Sequence, residues 1–152
     1  MLNRDYSDML CEFNAAGVEY LLVGAYALAT HGLTRATGDI DLWVNPSRDN
    51  GKRVELALLR FGALLEGISA GDFEQPDIIF QIGRSPVRID IITTIDGVSF
   101  EEANRRQQWK DLGGIQVPVI SREDLIKNKR AAGRPKDIAD AIWLEQTADD
   151  DA

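Results

Sequence analysis

Asp39 and Asp41 stand two residues apart in Gly38-Asp39-Ile40-Asp41-Leu42-Trp43-Val44. Residues at that spacing on a strand share a face, so both carboxylates point the same way. Like charges that close raise each other's pKa unless a cation sits between them. Hard oxygen donors of this kind suit Mg²⁺ or Mn²⁺. The same spacing also fits a solvated strand face that carries two acids. Asp90, in Val87-Arg88-Ile89-Asp90-Ile91-Ile92, lies with Arg88 on one face, opposite Ile89 and Ile91. An acid amid β-branched residues is disfavoured in a strand. Asp90 is either a third ligand beside Asp39 and Asp41 or the ion-pair partner of a neighbouring arginine. Three carboxylates around one site would hold two divalent cations, the arrangement used for in-line displacement at phosphorus.

Three further segments bear on phosphate. Gly24 falls between a strand and a short helix, where a glycine lets backbone approach a ligand and helix N–H groups face an anion. It also fits a glycine that only serves the turn. Arg35 and Thr37, in Leu33-Thr34-Arg35-Ala36-Thr37-Gly38, are candidate phosphate contacts, although Arg35 fits equally a solvated side chain or a partner for Asp39. Lys127, Lys129, Arg130, Arg134 and Lys136 form the densest basic stretch. It suits a triphosphate or a polyanionic partner, or simply a solvated helix end. His31, the sole histidine, reads as structural. No Gly-x-Ser-x-Gly elbow, Walker A loop, Gly-x-Gly-x-x-Gly or Cys/His zinc set is present.

The elements that must position these residues alternate. A helix is expected over Asn3–Ala16, with Tyr6, Met9, Leu10 and Phe13 on one face and Gly17 as its stop. Strands follow over Val18–Val23 and Asp39–Val44, with a short helix over Ala25–His31 between them. A helix spans Arg48–Phe61. Ala63–Glu66 reads as a short strand and Gly67–Pro76 as loop. Ile78–Ile82 and Val87–Thr93 read as two strands joined as a hairpin across Gly83–Pro86. Ser99-x-x-Glu102 opens a helix to about Gln107. Trp109–Leu112 and Ile115–Ile120 flank Gly113-Gly114, a strong hairpin signal. Helices over Ser121–Ala132 and Lys136–Gln146 close the chain. Hairpins argue against a purely parallel sheet. The expected fold is α/β (α+β): a mixed sheet flanked by helices. It forms one domain over 1–148, with a core over 18–120, C-terminal helices over 121–147 and an acidic tail over 149–152.

The chain has 152 residues, 44% hydrophobic and 28% charged, an ordinary globular composition. No run approaches the roughly 18 apolar residues of a membrane span. Net charge is −8, which argues against extended duplex nucleic acid as a partner, since that binding rests on many Lys/Arg–phosphate contacts. Cys11 is the single cysteine and reads as a small core residue on the first helix. With no signal sequence at the N-terminus, a cytoplasmic location is expected.

In order, Leu22-Val23-Gly24-Ala25, Arg35-Ala36-Thr37-Gly38-Asp39-Ile40-Asp41-Leu42 and Arg88-Ile89-Asp90 resemble the nucleotidyltransferase superfamily with a DNA polymerase β-like palm. The branch they resemble is that of the minimal and abortive-infection-type enzymes of toxin–antitoxin systems. The resemblance covers residues 18 to about 93, and a weaker match runs through Lys129, Ala132, Arg134, Lys136, Asp137 and Asp140. It implies that Asp39, Asp41 and Asp90 are catalytic and bind Mg²⁺ or Mn²⁺. It implies that Gly24 and Ala25 meet the phosphates of an NTP such as ATP, with Arg35, Thr37, Lys129 and Arg134 as further nucleotide contacts. Ala25 departs from the Gly or Ser usual there, which removes a hydroxyl contact but keeps a backbone one. The activity implied is transfer of an NMP group to an acceptor hydroxyl on a protein, a tRNA end or a small molecule. The alternative is an antitoxin-like module that binds a protein partner with little or no catalysis. An aspartyl-phosphate phosphatase also uses Asp-x-Asp, but it usually has Thr or Val where this chain has Trp43.

Overall fold

The structure, a computed structural model, describes residues 2–34 and 38–147. Its order is α1 (Arg4–Ala16), β1 (Tyr20–Val23), α2 (Gly24–Thr30), β2 (Ile40–Val44), α3 (Arg48–Phe61), a 3₁₀ turn (Ala70–Glu74), β3 (Ile79–Arg84), β4 (Val87–Ile92), α4 (Phe100–Arg105), β5 (Gln108–Leu112), β6 (Ile115–Val119), α5 (Arg122–Ala132) and α6 (Pro135–Gln146). The strands form one six-stranded sheet in the order β3-β4-β2-β1-β6-β5. The pairs β2/β4 and β1/β6 are parallel, and β1/β2, β3/β4 and β5/β6 are antiparallel. This is the mixed, helix-flanked sheet that the hairpin signals predict.

Local chemistry sets the helix ends. Asn3 caps α1 by accepting from the Asp5 N–H at 2.8 Å, and Gly17 closes it in the left-handed region. The stripe Tyr6, Met9, Leu10 and Phe13 is fully buried. The Phe13 ring meets Tyr20 of β1 edge-on at 5.1 Å, so α1 covers the sheet face that carries Tyr20 and its cross-strand partner Val44. The opposite face carries Leu21, Val23, Asp41 and Trp43. Trp43 packs edge-on against Phe100 of α4 at 5.1 Å, and its indole N–H donates to the Thr93 carbonyl. The acidic face of β2 is therefore covered at one end by an aromatic pair and left open at the other.

Several expectations are corrected. Val18 and Glu19 do not start β1. The Val18 N–H is spent on the Phe13 carbonyl at the end of α1, and Glu19 exchanges both backbone hydrogen bonds with the buried Asn50 side chain. Ala63–Glu66 forms no strand, and Leu64 stays 81% exposed. The loop that follows contains the 3₁₀ turn, which buries Phe73 against Phe80. Cys11 is exposed rather than in the core, because it lies off the buried stripe of α1. Among the described residues no helix is long and apolar enough to cross a membrane.

Candidate active site

Strand register builds the acidic wall. β2 and β4 run side by side with Asp41 opposite Asp90, and residues paired across a sheet project from the same face. Asp39 sits immediately before β2. Asp41 is largely buried and in hydrogen-bonding contact with Asp90. Its carboxyl is pushed up to about 7 from an ordinary 3.8, by burial first and then by Asp90 and Asp39, against the opposing pull of Arg88. Two carboxyl groups in contact need a proton or a cation between them.

Gly24 follows β1, whose last residue Val23 pairs with Asp41. Gly24 has φ +69, and a Cβ there would overlap Asp41 Oδ2. Both facts require glycine: one for the left-handed backbone, the other to leave room for the carboxylate. From the far side of the sheet, the Tyr6 hydroxyl accepts the Arg88 backbone N–H at 3.0 Å and donates to the Gly38 carbonyl. Helix α1 thus ties β4 to the segment that leads into Asp39. Ser85 donates to Asp39 Oδ1 at 3.2 Å.

Arg88 is the residue that the sequence reading underweighted. Its Nη2 lies 2.8 Å from Asp39 Oδ2, its Nε 2.8 Å from Asp90 Oδ1, and its Nη2 3.1 Å from Asp90 Oδ2. The ion-pair alternative for Asp90 is therefore realised, while Asp90 also stands beside Asp41. Among the described residues no three His, Cys, Asp or Glu side chains already converge as a metal centre, and the Arg88 guanidinium stands among these carboxylates. Their chemistry, three hard-oxygen groups with two in contact, fits Mg²⁺ or Mn²⁺ once that guanidinium moves.

The acids line a cleft of about 530 Å³ together with Gly24, Ala25, Lys129 and Arg134, a volume within the usual range for small-molecule sites. Arg35 and Thr37 lie outside the described residues. The basic stretch does not act as one patch. Lys127 turns toward Glu123 and Arg130 pairs with Glu145, while Lys129, Arg134 and Lys136 reach the cleft. Lys129 Nζ lies 3.4 Å from Asp137 Oδ1 and 3.3 Å from Asp140 Oδ2. Arg134 holds Asp137 at 2.6 Å, and its hydrogen bond, more than any other contact, keeps the Asp137 carboxyl below its ordinary value. Asp137 and Asp140 are buried and anchor this second wall. Both belong to the weaker C-terminal match in the sequence, and their i, i+3 spacing puts them on one side of α6. His31 is structural: it is buried, and its Nε2 pairs with the Ile120 carbonyl at 2.9 Å.

The chain belongs to the family described as nucleotidyl transferase of unknown function (DUF2204), whose model matches residues 2–150. Its fold is similar to that of a Thermotoga maritima protein provisionally described as a nucleotidyltransferase. That match has 15% identity and a TM-score of 0.55, and it covers 96% of this chain and 94% of that one. An antigenic nucleotidyltransferase-like protein from Paracoccidioides brasiliensis matches at 19% identity and a TM-score of 0.48, covering 92% of this chain and 74% of that one. No curated protein matches the chain.

Proposed function

We propose that this member of the nucleotidyl transferase family moves a nucleoside monophosphate from an NTP to an acceptor hydroxyl, in the cleft between the acidic wall and the α5–α6 wall. The observation that carries this reading is the meeting of Asp39, Asp41 and Asp90 with Gly24, Ala25, Lys129 and Arg134 around one cavity. Asp39, Asp41 and Asp90 would hold Mg²⁺ or Mn²⁺. When bound, the ions supply charge neutralisation of the triphosphate and stabilise the attacking and leaving oxygens.

The chain's own groups do the rest. The backbone at Gly24 and Ala25 offers N–H groups to phosphate with no side chain in the way. Lys129, held by Asp137 and Asp140, lines the cleft and would offer its remaining N–H donor to phosphate. The acceptor oxygen bonds to the α-phosphorus as the bond from phosphorus to the bridging oxygen breaks, and pyrophosphate leaves. Asp90 takes the acceptor's proton. The acceptor is a hydroxyl of a protein, a tRNA end or a small molecule. A place in a toxin–antitoxin pair, in the branch named above, and a cytoplasmic setting complete the proposal.

A second reading, a protein-binding module, is favoured by one observation. Trp109 on the edge strand β5 is 56% exposed, whereas Trp143 packs against the core. Calorimetric titration with ATP and the other NTPs, with and without Mg²⁺, separates the two. Magnesium-dependent binding by the wild type that disappears in Asp39→Asn/Asp41→Asn supports transfer. A folded wild type that binds no NTP would refute it and turn attention to the Trp109 face.

A further inference from the structure

Asp39, Asp41 and Asp90 offer six carboxylate oxygens to a cation. Arg88 already contacts three of them: Asp39 Oδ2 and both oxygens of Asp90. Asp39 Oδ1 accepts from Ser85. Any divalent ion shared by Asp39 and Asp90 must take oxygens that the guanidinium now holds.

The Arg88 side chain is not needed to secure its strand. That is done by the backbone, through the Tyr6 hydroxyl and the β3–β4 ladder. The side chain faces the cleft, 28% exposed, on a stem with several rotatable bonds. Phosphate is a partner a guanidinium binds as well as it binds carboxylate.

We propose that Arg88 is a resident counter-ion, holding the cation's place between Asp39 and Asp90 until an incoming triphosphate draws it away. This rests on the nucleotidyl-transfer reading above. It makes metal and nucleotide bind as a coupled pair. The ion alone must compete with the guanidinium, and the nucleotide removes that competitor. Coupling of this kind is reciprocal, so metal strengthens nucleotide binding by the same factor that nucleotide strengthens metal binding. Arg88 neutralises the ligands before the cation arrives and then grips phosphate in the loaded site.

The test is Mn²⁺ binding by calorimetry, with and without a non-hydrolysable NTP analogue, for the wild type, Arg88→Gln and Arg88→Lys. Thermal unfolding is followed in parallel without metal. Gln keeps part of the stem and a hydrogen-bond donor but not the charge, and Lys keeps the charge without the fork. The expected result is that Arg88→Gln binds Mn²⁺ alone about tenfold or more tightly than the wild type, and that the analogue then adds less than it does in the wild type. Arg88→Lys falls between. Equal or weaker Mn²⁺ binding by Arg88→Gln, beside a wild type that does bind Mn²⁺ with the analogue, overturns the proposal and leaves the transfer reading standing. If Arg88→Gln does not fold, Arg88→Lys decides by the same comparison. A folded wild type that binds neither Mn²⁺ nor analogue overturns the transfer reading and this proposal with it.

Discussion

Replacing Asp41 by Asn is expected to stabilise the metal-free protein at neutral pH. Burial and the neighbouring acids push the Asp41 carboxyl up to about 7 from 3.8. The folded state therefore holds the Asp41 proton more tightly than the unfolded state does. The sign follows by linkage. Asp41's contribution to stability is fully present below about pH 4 and is lost as pH rises through about 7. Each pKa unit corresponds to about 1.4 kcal/mol, so the full shift is an upper bound of about 4 kcal/mol. The cleft is open to water, and side chains there relax, so about 1–2 kcal/mol is expected. The assay is urea denaturation of wild type and Asp41→Asn at pH 5 and pH 7.5 in EDTA. The variant should be more stable than the wild type at pH 7.5, and the gap should shrink at pH 5. Added Mg²⁺ should stabilise only the wild type. A variant equal to or weaker than the wild type at pH 7.5 would refute the view that this carboxyl is held against its own charge.

Three further outcomes follow from the packing. Gly24→Ala should lose about 1–2 kcal/mol through its positive φ, and its Cβ should displace Asp41; unchanged stability in denaturation together with unchanged NTP affinity would contradict the cleft geometry. Lys129→Met removes a cation that lies within 3.4 Å of the buried Asp137 and Asp140 carboxylates, so a loss of about 3 kcal/mol is expected in chemical unfolding; a fully stable variant would show that Lys129 does not hold that wall. Cys11, exposed on α1, should react with a thiol reagent in the folded state without loss of secondary structure by circular dichroism; protection until unfolding would place it in the core after all.

The sheet was legible where local chemistry leaves one choice. Gly113-Gly114 between two apolar runs has the positive φ at both positions that a two-residue turn requires, and the Ser99 and Ser121 caps begin their helices where the spacing says. Legibility failed where tertiary partners decide. Asn50 captures both backbone groups of Glu19 from 31 residues away, which delays β1, and no local pattern announces that. Phe73 folds an apparent loop into a 3₁₀ turn by burying one ring. Within the site, the two-residue spacing of Asp39 and Asp41 and the lone acid at Asp90 pointed to one place because strand periodicity fixes the face. The register that seats Asp41 beside Asp90 comes from parallel pairing between distant segments. Arg88 was visible on the Asp90 face, yet its reach to Asp39 depends on that same register. Lys129 and Arg134 were legible as cations and Asp137 and Asp140 as part of the weaker C-terminal match, but the burial of these acids against Lys129 depends on the packing of α5 on α6.

Asp39, Asp41 and Asp90 are proposed to form one cation site beside a nucleotide. Crystals grown with Mn²⁺ and a non-hydrolysable NTP analogue, with data collected at the manganese edge, test it most directly. An anomalous peak is expected within about 2.0–2.6 Å of oxygens from Asp39 and Asp41, with the triphosphate against Gly24 and Ala25. A nucleotide bound elsewhere, or one in this cleft with no manganese at these carboxylates, would contradict it.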